Sequence, residues 1–197
     1  MENSILHIDS SGRSNDSSTR KLSGLMVENL KGNNPDSHVV YRNLSRGLPF
    51  VDEKWIEATF TEPEQRTESQ QQALDFSTGL VKELQQAEKI VIGIPIYNFS
   101  IPAVLKAWID MVARVKLTFE YTANGPVGLL QDKKVFLAFS SGGVAIGSDM
   151  DFASSYMKHV LGFIGLTDVT VVDASKINLN EDGSSPTATS QLTEILV

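Results

Sequence analysis

The chain has 197 residues, 41% hydrophobic and 21% charged, with a net charge of −7 and no cysteine. That length suits one domain, residues 1–197, with a sizeable core. The acidic balance argues against nucleic acid or an anionic membrane as partner, and the missing thiol excludes disulfides, zinc–thiolate sites, iron–sulfur clusters and a cysteine nucleophile.

Strands and helices alternate along the chain. Ser4–Asp9 (SILHID) reads as a first strand, and residues 17–30 as a helix with Leu22, Leu25, Met26 and Leu30 at helical spacing. Residues 38–41 (HVVY) read as a second strand. Residues 44–66 read as irregular, with room for a short helix around 53–59. A longer helix is expected over 68–87, with Ala73, Phe76, Leu80, Leu84 and Ala87 on one face. Residues 89–96 form a third strand, apolar almost throughout, as a central parallel strand covered on both faces would be.

A helix follows over 102–114, where Pro102 suits a first turn. Residues 117–130 (LTFEYTANGPVGLL) read as a hairpin around Asn124-Gly125. The fourth strand is 135–139, the next helix 152–164, and the fifth strand 169–172. The tail 178–190 is polar and loop-like, and the pattern allows a last helix to Val197. No apolar run nears the roughly 18 residues of a membrane span. The start, MENSILHIDSS, lacks the basic and apolar regions of a secretory signal, so a cytoplasmic location is expected.

This order predicts an α/β fold: a flavodoxin-like, doubly wound, five-stranded parallel sheet in the order 2-1-3-4-5, with helices on both faces. Ligands of such sheets sit beyond the carboxyl ends of the strands, at the switch point between strands 1 and 3. Three loops should meet there. Ser10 to Thr19 is rich in hydroxyls and opens a helix, whose N-terminus offers free N–H groups and partial positive charge. Taken alone, it is better explained by a plain N-cap than by a phosphate site. Ser140-Ser141-Gly142-Gly143 lets the backbone approach a flat ligand, or makes an ordinary tight turn. Ile96-Tyr97-Asn98-Phe99-Ser100 is a corner held between Pro95 and Pro102. Such a stiff corner can present Asn98 to a heteroaromatic edge and wall the ligand with Tyr97 and Phe99. Asp16 is the one discordant residue, since its carboxylate should turn away from a bound phosphate.

No G-x-G-x-x-G, Walker loop, G-x-S-x-G or metal-ligand spacing is present. Asp9, Asp110 and Asp173 read as scattered caps and loop residues. His7 and His159 read as core or surface residues.

In PIYNFSIPAVLKAWID, LTFEYTANGPVGLL with the following DKK, SSGG and LGFIGLTDV, the chain resembles the FMN-dependent NADH:quinone oxidoreductases, the azoreductase family. The similarity runs from the first strand through the fifth. It implies a homodimer with one FMN per subunit near the interface. Ser11, Ser17, Ser18 and Thr19 would receive the ribityl-phosphate. Ile96, Tyr97, Asn98 and Phe99 would line the isoalloxazine, and Ser140, Ser141, Gly142 and Gly143 its pyrimidine side. Tyr121 and Phe163 match positions that shape the substrate space, partly across the dimer, although both also fit structural roles.

The family often has Met where Ile96 stands and Arg where Ser141 stands, and the stretch 53–65 matches it poorly. The implied reaction is ping-pong: NADH or NADPH reduces FMN, and a quinone or aromatic azo compound then takes two electrons in the same slot. The flavin carries the chemistry, with no protein nucleophile. A flavodoxin-type electron carrier, without small-molecule turnover, is the alternative, and a flavin-free scaffold of the same fold is a third reading.

Overall fold

Five strands with apolar side chains on both faces organise the chain. The structure is a computed structural model and describes residues 4–177, 179 and 186–196. In order the elements are β1 (Ser4–Asp9), α1 (Ser18–Gly32), β2 (His38–Asn43), α2 (Glu53–Phe60), α3 (Glu68–Gln86), β3 (Lys89–Pro95), α4 (Ala103–Val112), β4 (Phe119–Thr122), β5 (Gly125–Gly128), β6 (Lys134–Ser140), α5 (Phe152–Phe163), β7 (Asp168–Asp173) and α6 (Pro186–Ile195). The main sheet is parallel, in the order β2-β1-β3-β6-β7. The hairpin takes the numbers four and five, so β6 and β7 are the fourth and fifth strands expected of the sheet.

Alternate strand residues point to opposite faces. Leu6, Ile8, Ile90, Ile92, Ile94, Val135, Leu137 and Phe139 join one core cluster with Leu80 and Leu84 of α3, Trp108 of α4 and Met157 of α5. Ile5, Val91, Phe136 and Ala138 join a second with Leu22, Met26 and Leu30 of α1 and Leu192 of α6. Each fully buried Leu or Ile contributes about 1.5–3 kcal/mol. Both clusters are held by the same three central strands, so the carboxyl ends of β1, β3 and β6 form a rigid platform.

Three expectations need correction. The face of α3 is rotated: Leu74, Ser77 and Val81 are buried, whereas Phe76 is exposed. Ala73 and Phe76 instead border a cavity shared with Phe50 and Trp55 of the 44–66 segment, and Phe76 stays exposed there. The hairpin turns on Ala123-Asn124, one residue earlier than expected, and Gly125 takes positive φ to open β5. The tail becomes helical at Pro186, before the expected end of the loop; residues 178 and 180–185 of that loop lie outside the described residues. Ala188 and Leu192, one turn apart, carry α6 onto α1. Among the described residues, no helix is long and apolar enough to cross a membrane.

Candidate functional site

The parallel register brings the loops after β1, β3 and β6 to one edge of the sheet. They enclose a cavity of about 320 Å³. Nine of the twelve residues expected to bind cofactor line it: Ser11, Ser17, Ser18 and Thr19 from the first loop, Ile96 and Tyr97 from the second, and Ser140, Ser141 and Gly142 from the third. Asn98, Phe99 and Gly143 follow directly on the same loops but are not in its lining.

Ser17 is the N-cap of α1, and its Oγ accepts from Arg20 N at 3.4 Å and lies 3.1 Å from Thr19 Oγ1. The first-turn amides and these hydroxyls form an anion-accepting end without an acidic residue in the turn. Asp16, at φ 52°, does line the cavity, but Lys21 Nζ stands 3.5 Å from its carboxylate and offsets its charge. Ser10 anchors the loop by donating its Oγ–H to Gly93 O at 2.7 Å.

The stiff corner is a two-residue reversal. Tyr97 and Ser100 exchange both backbone hydrogen bonds, at 2.9 and 3.1 Å, around Asn98 at φ 49° and Phe99 at φ 70°. Positive φ at both central residues is the pattern of a type I′ turn. Asn tolerates it, whereas Phe costs about 1–2 kcal/mol there. Ile96 N donates to Ser140 O at 2.8 Å, tying this corner to the third loop. Tyr97 OH accepts from Gly12 N at 3.3 Å and lies 3.4 Å from Ser11 Oγ, tying it to the first.

In the third loop Ser141 Oγ accepts from Gly143 N at 3.3 Å and Val144 N at 2.8 Å, so this hydroxyl holds the turn. A Cβ at Gly142 or Gly143 would meet nothing within 4 Å. That open space gives a flat ring direct access to the backbone.

A buried polar network beneath the first loop escaped the sequence reading. The Asp9 carboxylate accepts from Ser23 Oγ at 2.8 Å, Tyr41 OH at 3.0 Å and Arg20 Nη1 at 3.2 Å. His7 Nε2 is 2.9 Å from Ser23 Oγ and 3.6 Å from Asp9 Oδ1. Burial pushes the Asp9 carboxyl up, but hydrogen bonds from His7, Ser23 and Tyr41 and the His7 charge outweigh it and hold it below its ordinary range. Asp9 is therefore a structural ion-pair partner rather than a cap. Asp173 caps a short turn as expected, but Asp110 is neither cap nor loop residue: it lies within α4 and pairs with Lys106 one turn earlier. A polar ending on an otherwise apolar strand, SILHID, was the available signal.

Tyr121 and Phe163 stand apart from this cavity. The hairpin leaves α4 and returns to the start of β6, which places it toward the amino ends of the strands. Phe119 links the two residues, with ring centroids 5.6 Å from Tyr121 and 4.5 Å from Phe163. Tyr121 is 72% exposed.

The 44–66 segment packs on α3 and α4 around a second cavity of about 250 Å³, bordered by Phe50, Trp55, Phe76, Ser77 and Met111. The Arg114 guanidinium lies 5.6 Å from the Trp55 ring and donates to Ser77 Oγ at 2.5 Å. Burial, with a smaller contribution from Arg66, pushes its pKa down to about 10, so it stays charged at neutral pH.

A sheet of this order with three loops around one cavity at its carboxyl edge defines the flavodoxin-like class, and a family model described as a flavodoxin-like fold matches residues 3–196. FMN-dependent NADH:quinone oxidoreductase 1 of Hahella chejuensis (strain KCTC 2396) is 48% identical over 188 residues, 95% of this chain and 92% of that protein. FMN-dependent NADH:quinone oxidoreductase of Thiobacillus denitrificans (strain ATCC 25259 / T1) is 46% identical over 192 residues, 98% of this chain and 94% of that protein. An azoreductase structure from Bacillus anthracis str. Sterne superposes with a TM-score of 0.79 at 28% identity, covering 98% of this chain and 93% of that one. The chain belongs to the FMN-dependent NADH:quinone oxidoreductase family.

Proposed function

We propose that the protein is a cytoplasmic, homodimeric FMN enzyme that takes two electrons from NADH or NADPH and passes them, by a ping-pong mechanism, to quinones and aromatic azo compounds. The observation that carries this is the single cavity in which an anion-accepting helix end, the Tyr97 ring and the unobstructed Gly142 meet. Those residues fit FMN: hydroxyls and amides at one end for a phosphate, and Tyr97 with open backbone for a ring. The relatives' names supply the donor and the quinone, and the structural neighbour's name supplies the azo compounds.

Bound FMN would supply the two-electron chemistry. Ser11, Ser17, Ser18 and Thr19 would hold its phosphate and ribityl chain. Ile96, Tyr97, Asn98 and Phe99 would orient the ring. Backbone N–H groups near Asn98 and at Gly142 and Gly143 would stabilise negative charge on its pyrimidine side, with Ser140 and Ser141 shaping that loop. His7 is occupied by the Asp9 network and His159 is exposed on α5, so water or substrate handles the proton.

The same reading takes the sheet as doubly wound and the chain as one FMN-binding domain. It assigns Tyr121 and Phe163 to the substrate space of a partner subunit, because both lie toward the strand ends opposite their own cavity. The stretch 53–65 would shape the substrate pocket.

Steady-state rates test the proposal. NADH oxidation would be followed at several fixed concentrations of a quinone, then of an azo dye. Parallel double-reciprocal lines with both acceptors are expected. Intersecting lines would overturn the ping-pong order. Bound flavin without turnover on either acceptor, with NADH or NADPH, would favour the electron carrier.

A further inference from the structure

We infer that Arg20 is a positioning residue that fixes the backbone of the phosphate loop without contacting the phosphate. The inference rests on the FMN reading above. Arg20 lies in the first turn of α1, where a cation faces the positive end of the helix and a phosphate site would seem to want it. Its guanidinium is already committed. Nε donates to Arg13 O at 2.8 Å. Nη1 donates to Asp9 Oδ2 at 3.2 Å and Tyr41 OH at 2.9 Å. Nη2 donates to Ser11 O at 2.8 Å, Asn43 Oδ1 at 2.9 Å and Ser45 Oγ at 3.2 Å. These acceptors use every N–H the group has. Asp9 also cancels its charge, so little remains to attract an anion.

Two of the acceptors explain the role. A peptide unit is planar, with its C=O and N–H pointing in opposite directions. Pinning Ser11 O therefore aims Gly12 N–H, which donates to Tyr97 OH at 3.3 Å. Pinning Arg13 O aims Ser14 N–H in the same way. Arg20 thus fixes two peptide units of the loop whose Ser11 and Arg13 line the cavity and, through Gly12, couples that loop to the Tyr97 corner. Its bonds to Tyr41, Asn43 and Ser45 hold the end of β2 to the same hub. A lysine could not replace it: an ammonium is a point donor on a flexible stem and cannot span both carbonyls.

The test compares FMN with riboflavin, which lacks the phosphate, by flavin fluorescence quenching in wild type, Arg20→Met and Arg20→Lys. Both variants are expected to lose about tenfold in FMN affinity while riboflavin affinity changes by less than about twofold. Hydrogen exchange at Gly12 and Ser14 should quicken, while Ile92 in β3 keeps its protection. Full rescue by Arg20→Lys would overturn the inference, because charge alone would then suffice. Equal loss of FMN and riboflavin, or no loss, would overturn it as well. Should Arg20→Met fail to fold, Arg20→Lys decides alone: a selective loss of FMN supports positioning, and a wild-type ratio refutes it. Wild type that binds FMN no better than riboflavin would sink the phosphate site itself and this inference with it.

Discussion

The Asp9 carboxylate fills the space in which a side chain at residue 93 would stand. Asp9 and Gly93 are register partners on β1 and β3, and a Cβ on Gly93 would lie 2.6 Å from Asp9 Oδ1 and 3.2 Å from both Ser23 Oγ and Thr19 O. Gly93 is therefore required by a close approach rather than by its own backbone angle. Gly93→Ala must displace the carboxylate and break its bonds to Ser23 and Arg20. The expected cost is about 2–3 kcal/mol, with a matching fall in thermal midpoint. An unchanged midpoint would show that the network can move aside.

Asp9 also sets an acid dependence. Its folded-state pKa lies below the ordinary 3.8 despite burial, because His7, Ser23 and Tyr41 stabilise the charged form. The unfolded chain then binds the proton first as pH falls. The stability Asp9 contributes is present above its unfolded pKa and is lost as pH drops through the folded value. Asp9→Asn should be less stable than wild type at neutral pH, with the gap narrowing below about pH 4. Urea midpoints of both proteins across that range would reveal it; a constant gap would remove Asp9 from the acid response.

The Tyr97–Ser100 turn separates backbone from side-chain roles. Asn98→Ala should weaken FMN retention, because it removes the amide and also strains a residue at φ 49°. Asn98→Gly keeps the turn and removes only the amide. If that amide meets the flavin, both variants lose affinity, and only the alanine variant also loses thermal stability. Wild-type affinity for the glycine variant in an apoprotein titration would take the side chain out of the site.

The sheet and its three loops could be read from the sequence because they depend on local pattern. Runs such as KIVIGIP have one stable use in an α/β chain, a central strand. The Asp9–Arg20 hub could not, because its members come from β1, α1, β2 and the turn after it, and only the fold brings them together. The type I′ turn was hidden by Phe99, a residue that position normally excludes. Phe76 was misassigned because helical spacing marks an apolar face without saying how far along it the core reaches, and Phe76 is left exposed. The separation of Tyr121 and Phe163 from the cavity follows from topology, which residue identity does not encode.

The most direct measurement is a visible absorption spectrum of the purified protein reconstituted with FMN, recorded without oxygen before and after NADH and again after a quinone. Bound flavin should bleach on addition of NADH and recover with the quinone. Bound flavin that neither NADH nor NADPH bleaches would contradict the oxidoreductase and restore the electron carrier. A protein that never takes up FMN would contradict the three-loop site itself.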